Sequence, residues 1–116
     1  MKFIAMYGQI NRPIIYIQAE DINGEKKWMI LNSIQTFELD KNALNWLEPI
    51  TDKAVLYHLL ESHNLRLDAL YKSTENESIK NSALNNMLDF KLDFGNGYII
   101  EFPNFNKFNF NRPVEI

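Results

Sequence analysis

Apolar and polar residues alternate most regularly between residues 87 and 102, on both sides of a Gly-Asn-Gly triplet. A period of two residues is typical of a strand with one buried and one exposed face. If residues 95–97 form a three-residue loop, Phe90 lies opposite Phe102 on the apolar face and Lys91 lies opposite Glu101 on the other. A two-residue loop would mix the faces, which a half-buried sheet does not tolerate. The pattern therefore predicts a β-hairpin whose three-residue loop has Gly97 at a positive φ.

Three more strands are predicted in the first third of the chain, over Lys2–Tyr7, Ile14–Glu20 and about Lys26–Thr36, where β-branched and aromatic residues are frequent. The Asn23-Gly24 dipeptide favours a two-residue turn between the second and third strands. That register pairs Asp21 with Lys26 and Glu20 with Lys27, so opposite charges meet twice. The continuous apolar run at residues 28–31 predicts burial on both faces of the third strand.

The middle of the chain has helical patterns. Asp40 is placed to cap a short helix over about residues 41–48, which ends before Pro49. Thr51 or Asp52 caps a second helix that runs to about His63, with Asn64 as its stop signal. Residues 65–72 fit either a helix or a strand, and residues 79–86 fit a helical turn. Residues 107–111 alternate Phe with polar residues, and the end of the chain fits a last edge strand bracketed by Pro103 and Pro113.

Strands therefore come first, helices follow, and strands return at the end, an order that predicts an α+β fold. We expect a single domain over residues 1–116. Its antiparallel sheet has about five or six strands, with hairpins near 14–36 and 87–102. Two or three helices in the middle of the chain pack on one face of this sheet.

Composition narrows the function classes. The 116 residues have no cysteine, which removes disulfides, cysteine-ligated zinc and thiol catalysis. The formal charge is −3, and Lys26-Lys27 is the one adjacent basic pair, so the basic face that nucleic-acid binding requires is missing from the sequence pattern. No apolar run reaches transmembrane length, and the N-terminal stretch lacks a signal-peptide cleavage site. We expect a cytoplasmic protein without cofactor or metal that binds neither nucleic acid nor membrane.

Two groups of residues are candidates for metal-assisted hydrolysis. His58 and Glu61 are three apart and share one helix face, whereas His63 is five residues from His58 and points elsewhere. Two ligands are fewer than zinc takes. On the predicted hairpin, four charged residues share one face and resemble the D-x-K segment of metal-dependent nucleases: Asp89, Lys91, Asp93 and Glu101. A small metal-dependent hydrolase is thus one alternative, although any solvent face of a hairpin carries such charges.

A second alternative is an oligomeric accessory protein. Phe105, Phe108 and Phe110 recur near the end of the chain and fit a strand edge that pairs with another copy, or else the buried face of a last strand. The serines lie in no nucleophile motif, and the four glycines form no phosphate-binding loop.

A small, acidic, cysteine-free chain rich in Asn and aromatic residues resembles the immunity proteins of bacterial toxin systems, including those of contact-dependent growth inhibition. The resemblance lies in general character and not in a motif. It implies a non-enzymatic protein that binds one cognate toxin, often a nuclease, and blocks the active site with an acidic surface. An acidic patch attracts a basic, phosphate-binding cleft. The residues that this implies for the contact are Glu48, Asp52, Glu61, Asp68, Glu75 and Glu77, with Trp46 as an aromatic anchor.

Overall fold

The computed structural model of the protein describes residues 1–102, so the predicted strand with Phe105, Phe108 and Phe110 lies outside the described residues. The fold is α+β, as predicted. Its elements in chain order are β1 (Lys2–Gln9), β2 (Ile15–Glu20), β3 (Lys26–Ile30), a 3₁₀ helix (Lys41–Trp46), β4 (Leu47–Pro49), α1 (Lys53–Ser73), α2 (Glu77–Asn86), β5 (Phe90–Asp93) and β6 (Ile99–Phe102).

The described strands form two antiparallel sheets, one of four strands in the order β3-β2-β1-β4 and one made of the β5-β6 hairpin. The two sheets meet at the start of β1. There the Phe3 N–H donates to the carbonyl of Asp89 at 2.8 Å, and the Asp89 N–H donates to the carbonyl of Met1 at 2.7 Å. This parallel bridge holds the hairpin beside the larger sheet.

The core lies between the four-stranded sheet, α1 and β5. Met6, Ile17 and Met29 are direct neighbours across β1, β2 and β3, and each is at most 1% exposed. Leu56 and Leu60 of α1 pack on this inner face, together with the buried residues of the β5 region. A second cluster of Leu67, Ala83 and Met87 joins α1 to α2. One face of the larger sheet is therefore covered by helix and hairpin.

The predicted register of the 87–102 hairpin is confirmed. Phe90 pairs with Phe102 and Lys91 with Glu101, and the Phe94 N–H donates to the carbonyl of Tyr98 at 2.8 Å. Gly97 has φ of 80°, inside a loop whose other two residues also have positive φ. The buried side chains of Phe90 and Leu92 specify this register, because a slip by one residue would move both of them into water.

The two-residue turn predicted at Asn23-Gly24 is wrong. Glu20 pairs with Lys26, and the loop has three residues closed by Asp21 and Glu25. The Asp21 carboxylate accepts hydrogen bonds from the N–H groups of Asn23 and Glu25, both at 2.9 Å, which stabilises this longer turn. The observed register also places Ile17 opposite Met29, so that both side chains lie on the inner face.

The predicted extents of two elements are also wrong. β3 ends at Ile30 instead of Thr36, and Ile30 is 40% exposed, so the strand is not buried on both faces. The helix predicted to end near His63 continues to Ser73, which identifies residues 65–72 as helix. Asn64 does not stop α1, because its side chain is buried and hydrogen-bonded to the backbone of Leu88. No helix within residues 1–102 is long and apolar enough to cross a membrane.

Candidate protein-binding surface

The outer face of the four-stranded sheet, opposite the core, carries a row of large side chains. Pro49, Tyr7, Tyr16 and Ile30 are consecutive register partners across β4, β1, β2 and β3. Directly opposite residues in an antiparallel sheet project from the same face. Met6, Ile17 and Met29, one residue away in each strand, face the core. The same alternation that builds the core therefore places this row outside.

Two more aromatic residues extend this row. The ring centroid of Trp28 lies 5.6 Å from that of Tyr7, and the Phe37 ring meets the Tyr16 ring edge-on at 6.1 Å. Phe37 is held there by its N–H, which donates to the carbonyl of Trp28 at 2.9 Å. These distances are those of interacting aromatic pairs. We call Tyr7, Tyr16, Trp28, Ile30 and Phe37 the aromatic face.

The aromatic face is open to solvent in part. Ile30 is 40% and Phe37 is 36% exposed, and the three other side chains are half-buried. Neither of the two core clusters formed by the described residues includes any of its members. The helices and the hairpin that cover the inner face therefore leave this face without a comparable second layer among residues 1–102.

Charged residues lie at one end of the outer face and not at its centre. Lys2, Glu20 and Lys26 form a cross-strand row of alternating sign. The next row towards the centre consists of Ala5, Gln18 and Trp28. A centre rich in Tyr and Trp and poor in charge, with charges at the rim, is the composition that protein–protein interfaces favour.

The acidic residues predicted as contacts fall into separate groups. Trp46, Glu48 and Asp52 lie together around β4 and the start of α1, and Trp46 is 60% exposed. Glu75 and Glu77 lie beyond the other end of α1, whose 21 residues span about 30 Å. The fold does not bring the predicted acidic residues into one patch.

Several of these carboxylates already have structural partners. Asp52 caps α1 by accepting hydrogen bonds from the N–H groups of Ala54 and Val55. Asp68 forms an ion pair with Lys72 at 2.9 Å. Glu61 accepts a hydrogen bond from the Tyr57 hydroxyl at 3.0 Å, and this bond raises the pKa of Tyr57 above its usual value. Glu48 is exposed on β4 opposite Gly8, so its side chain projects from the sheet face opposite to that of Pro49 and Tyr7.

The residues proposed for metal-assisted hydrolysis do not converge. Within residues 1–102, no three His, Asp or Glu side chains are placed to hold one metal ion. His58 is exposed, and its ring is tilted against that of Tyr57 with 5.5 Å between the ring centroids, whereas His63 is buried on another side of α1. On the hairpin, one Asp93 carboxylate oxygen accepts from the Gly95 N–H, and this bond belongs to the turn.

Comparisons of the chain with protein-family models, with curated proteins and with solved structures returned no match.

Sequence reasoning missed the aromatic face. Its signal is present in the strands, where the positions alternating with core residues carry Tyr7, Tyr16 and Trp28 instead of charged side chains. That signal becomes a surface only when the pairing of the strands is known.

Proposed function

We propose that this chain is a non-enzymatic protein-binding module, and most concretely an immunity protein that binds and neutralises a cognate bacterial toxin. The observation that carries the proposal is the aromatic face: a cluster of Tyr, Trp, Ile and Phe on an open sheet surface without charge at its centre. Such residues supply most of the binding energy in protein interfaces. The resemblance in general character to toxin-immunity proteins names the class of partner.

The charge of the surface favours a protein partner over a nucleic acid. Lys2 and Lys26 flank Glu20 in one rim row, so the outer face has no continuous basic strip to neutralise phosphates. The net charge of −3 also opposes nucleic-acid binding.

The predicted residues near the start of α1 lie at the edge of the sheet that carries this interface. Glu48 lies on the edge strand β4 opposite Gly8, and Trp46 precedes it with most of its side chain in solvent. In this proposal the aromatic face supplies the affinity, and Glu48 and Asp52 speed the approach of a basic toxin and occupy its cleft. Asp68 lies about 24 Å along α1 from Asp52, and Glu75 and Glu77 lie beyond the end of α1, so this proposal leaves all three outside the contact.

The test uses the full chain together with the product of its native upstream reading frame. We expect that this product stops growth when produced alone, that co-production of the chain restores growth, and that the two proteins elute as a one-to-one complex. Full toxicity in the presence of the chain, without a complex, would refute the assignment as an immunity protein. Self-association of the chain through the same face would instead identify a second copy as the partner.

Matched variants locate the contact. Ile30→Asp places a charge in the aromatic face, and Ile22→Asp places the same charge at a loop position that is 98% exposed. We expect Ile30→Asp to weaken the complex by about 30-fold or more, the loss that corresponds to about 2 kcal/mol at an interface hot spot. Ile22→Asp should bind like the wild type. Equal affinities of the two variants would exclude the aromatic face as the contact.

A further inference from the structure

We propose that His63 is a proton-operated latch that holds residues 32–34 against α1 and α2 when it is neutral and releases this segment when it is protonated. The inference does not depend on the proposed function. It follows from the position of one buried imidazole between two backbone groups of different segments.

Both nitrogens of the His63 ring are in use, and the side chain is 0% exposed. Nδ1 accepts a hydrogen bond from the Asn32 N–H at 2.8 Å, and Nε2 lies 3.0 Å from the carbonyl oxygen of Asn86. Because a carbonyl oxygen only accepts, Nε2 must carry the hydrogen and Nδ1 must be bare. The two partners thus select one tautomer of the neutral ring.

The Asn86 side chain holds the segment at a second point. The Asn86 side-chain amide donates to the carbonyl of Ile34 at 3.0 Å and to that of Ser82 at 2.8 Å. Asn32 itself has φ of 72°, a left-handed conformation that is strained for most side chains and is held by its surroundings. The segment is therefore fixed to the helices through His63 and Asn86.

Protonation of His63 at Nδ1 removes the acceptor of the Asn32 N–H. A hydrogen on Nδ1 would point at the Asn32 N–H, so two donors would face each other across 2.8 Å. The backbone groups that face the ring from the segment and from α2 are uncharged. The charged group that acts on His63 is the α-amino group of Met1, just before β1, which donates to the carbonyl of Met87 at 3.0 Å and repels a second positive charge.

Burial accordingly lowers the pKa of His63 below its usual value of 6.5. A released ring regains the ordinary pKa, so protons bind preferentially to the released form. The segment is held fully above pH 6.5 and is progressively released as the pH falls below it.

The test is amide hydrogen exchange by NMR on the native full chain between about pH 7.5 and about pH 5, the range in which histidine changes its charge. After correction for intrinsic rates, we expect the protection factor of the Asn32 amide to fall by about tenfold or more, because protons bind to the released ring in preference to the buried one. The amide of Ile17 in β2 should stay protected, because the latch opens locally. An unchanged Asn32 protection factor, or an equal loss at Ile17, would overturn the inference.

Two variants assign the effect to the ring. His58→Gln removes the exposed histidine of the same helix and should respond like the wild type. His63→Gln keeps an acceptor and a donor but does not titrate, so its Asn32 protection should not depend on pH. A persistent tenfold fall in His63→Gln would refute the latch. If that variant does not fold, the wild-type midpoints decide, because the His63 ring signals and Asn32 protection must change at the same pH.

Discussion

Replacing Asn64 by alanine removes both hydrogen bonds that α1 makes with the backbone of Leu88. The Asn64 side-chain amide donates to the carbonyl of Leu88 at 2.9 Å, and its oxygen accepts from the Leu88 N–H at 2.7 Å. Asn64 is 1% and Leu88 0% exposed, so water does not replace the lost partner. The contact joins the middle of α1 to the chain that enters β5.

The expected loss follows from the groups left unpaired. A buried N–H or C=O without a partner costs about 1–3 kcal/mol, and two such groups remain in Asn64→Ala. We therefore expect the free energy of unfolding to fall by about 2–6 kcal/mol, a large part of the roughly 5–15 kcal/mol that holds a domain together. The assay is urea unfolding followed by circular dichroism at pH 7.5, where the midpoint should fall with little change in slope.

Asn64→Asp sharpens the same test. Its carboxylate still accepts from the Leu88 N–H, but a second oxygen then faces the Leu88 carbonyl, where the wild type has a donor. Protonation restores a donor, so the folded state raises the pKa of this carboxyl above its unfolded value. The stability gap between this variant and the wild type should therefore narrow as the pH falls towards about 4.

The control is Asn81→Ala, an exposed position on α2, which should stay within about 0.5 kcal/mol of the wild type. The reasoning fails if Asn64→Ala is as stable as this control. It also fails if the gap between Asn64→Asp and the wild type is constant with pH.

Three further predictions concern the core, a turn and acid stability. The Leu60 side chain is 0% exposed between the sheet and α1, so Leu60→Ala should lower the free energy of unfolding in urea by about 3–5 kcal/mol. Leu65 is 58% exposed, and Leu65→Ala should lower it by less than about 1 kcal/mol. Equal losses in the two variants would contradict this position of the core. Gly97→Ala forces an L-residue to φ of 80° and should lower the stability measured by thermal unfolding by about 1–2 kcal/mol. Its control is Gly8→Ala, which should be neutral in the same measurement, because Gly8 has no positive φ and an added Cβ meets its nearest atom at 4.0 Å. A neutral Gly97→Ala would contradict the turn geometry. The wild-type stability should decline as the pH falls below 6.5, since burial lowers the pKa of His63. Midpoints of urea unfolding should show this decline in His58→Gln and not in His63→Gln. A decline in both variants would exclude His63 as its cause.

The hairpin at 87–102 was predictable because burial on one face specifies its register. Phe90 and Leu92 are buried while Lys91 and Asp93 are exposed, so only one pairing satisfies the alternation. The first hairpin obeys the same rule, with Ile17 opposite Met29. Its predicted register was wrong because the Asn-Gly dipeptide favours a two-residue turn locally, whereas burial of Ile17 and Met29 on one face specifies the observed pairing. The side chain of Asp21 closes a three-residue loop instead.

The length of α1 was not predictable from local signals. Asparagine ends many helices because its side chain competes for backbone hydrogen bonds. Here that side chain is satisfied by Leu88, which is 24 residues away, and the helix continues to Ser73. His63 likewise depends on Asn32, 31 residues earlier in the chain. Contacts at such separations leave no periodic trace in the sequence.

The aromatic face depends on information of the same kind. The run at residues 28–31 predicted a strand buried on both faces, but Ile30 is 40% exposed because α1 and the hairpin pack on the inner face. The acidic residues from Glu48 to Glu77 are close in the sequence, but Glu48 and Asp52 precede α1, Glu61 and Asp68 lie on it, and Glu75 and Glu77 follow it. Their separation moves the proposed contact from the helix to the sheet.

Hydroxyl-radical footprinting of the complex with the upstream gene product tests the proposed binding surface most directly, because aromatic side chains on both candidate surfaces report by their oxidation. The account predicts that oxidation of Tyr7, Tyr16, Trp28 and Phe37 falls on binding, while oxidation of Tyr57, beside Glu61 on α1, is unchanged. Protection of Tyr57 with unchanged oxidation of the aromatic face would contradict it and would return the contact to the carboxylates of α1, Glu61 and Asp68.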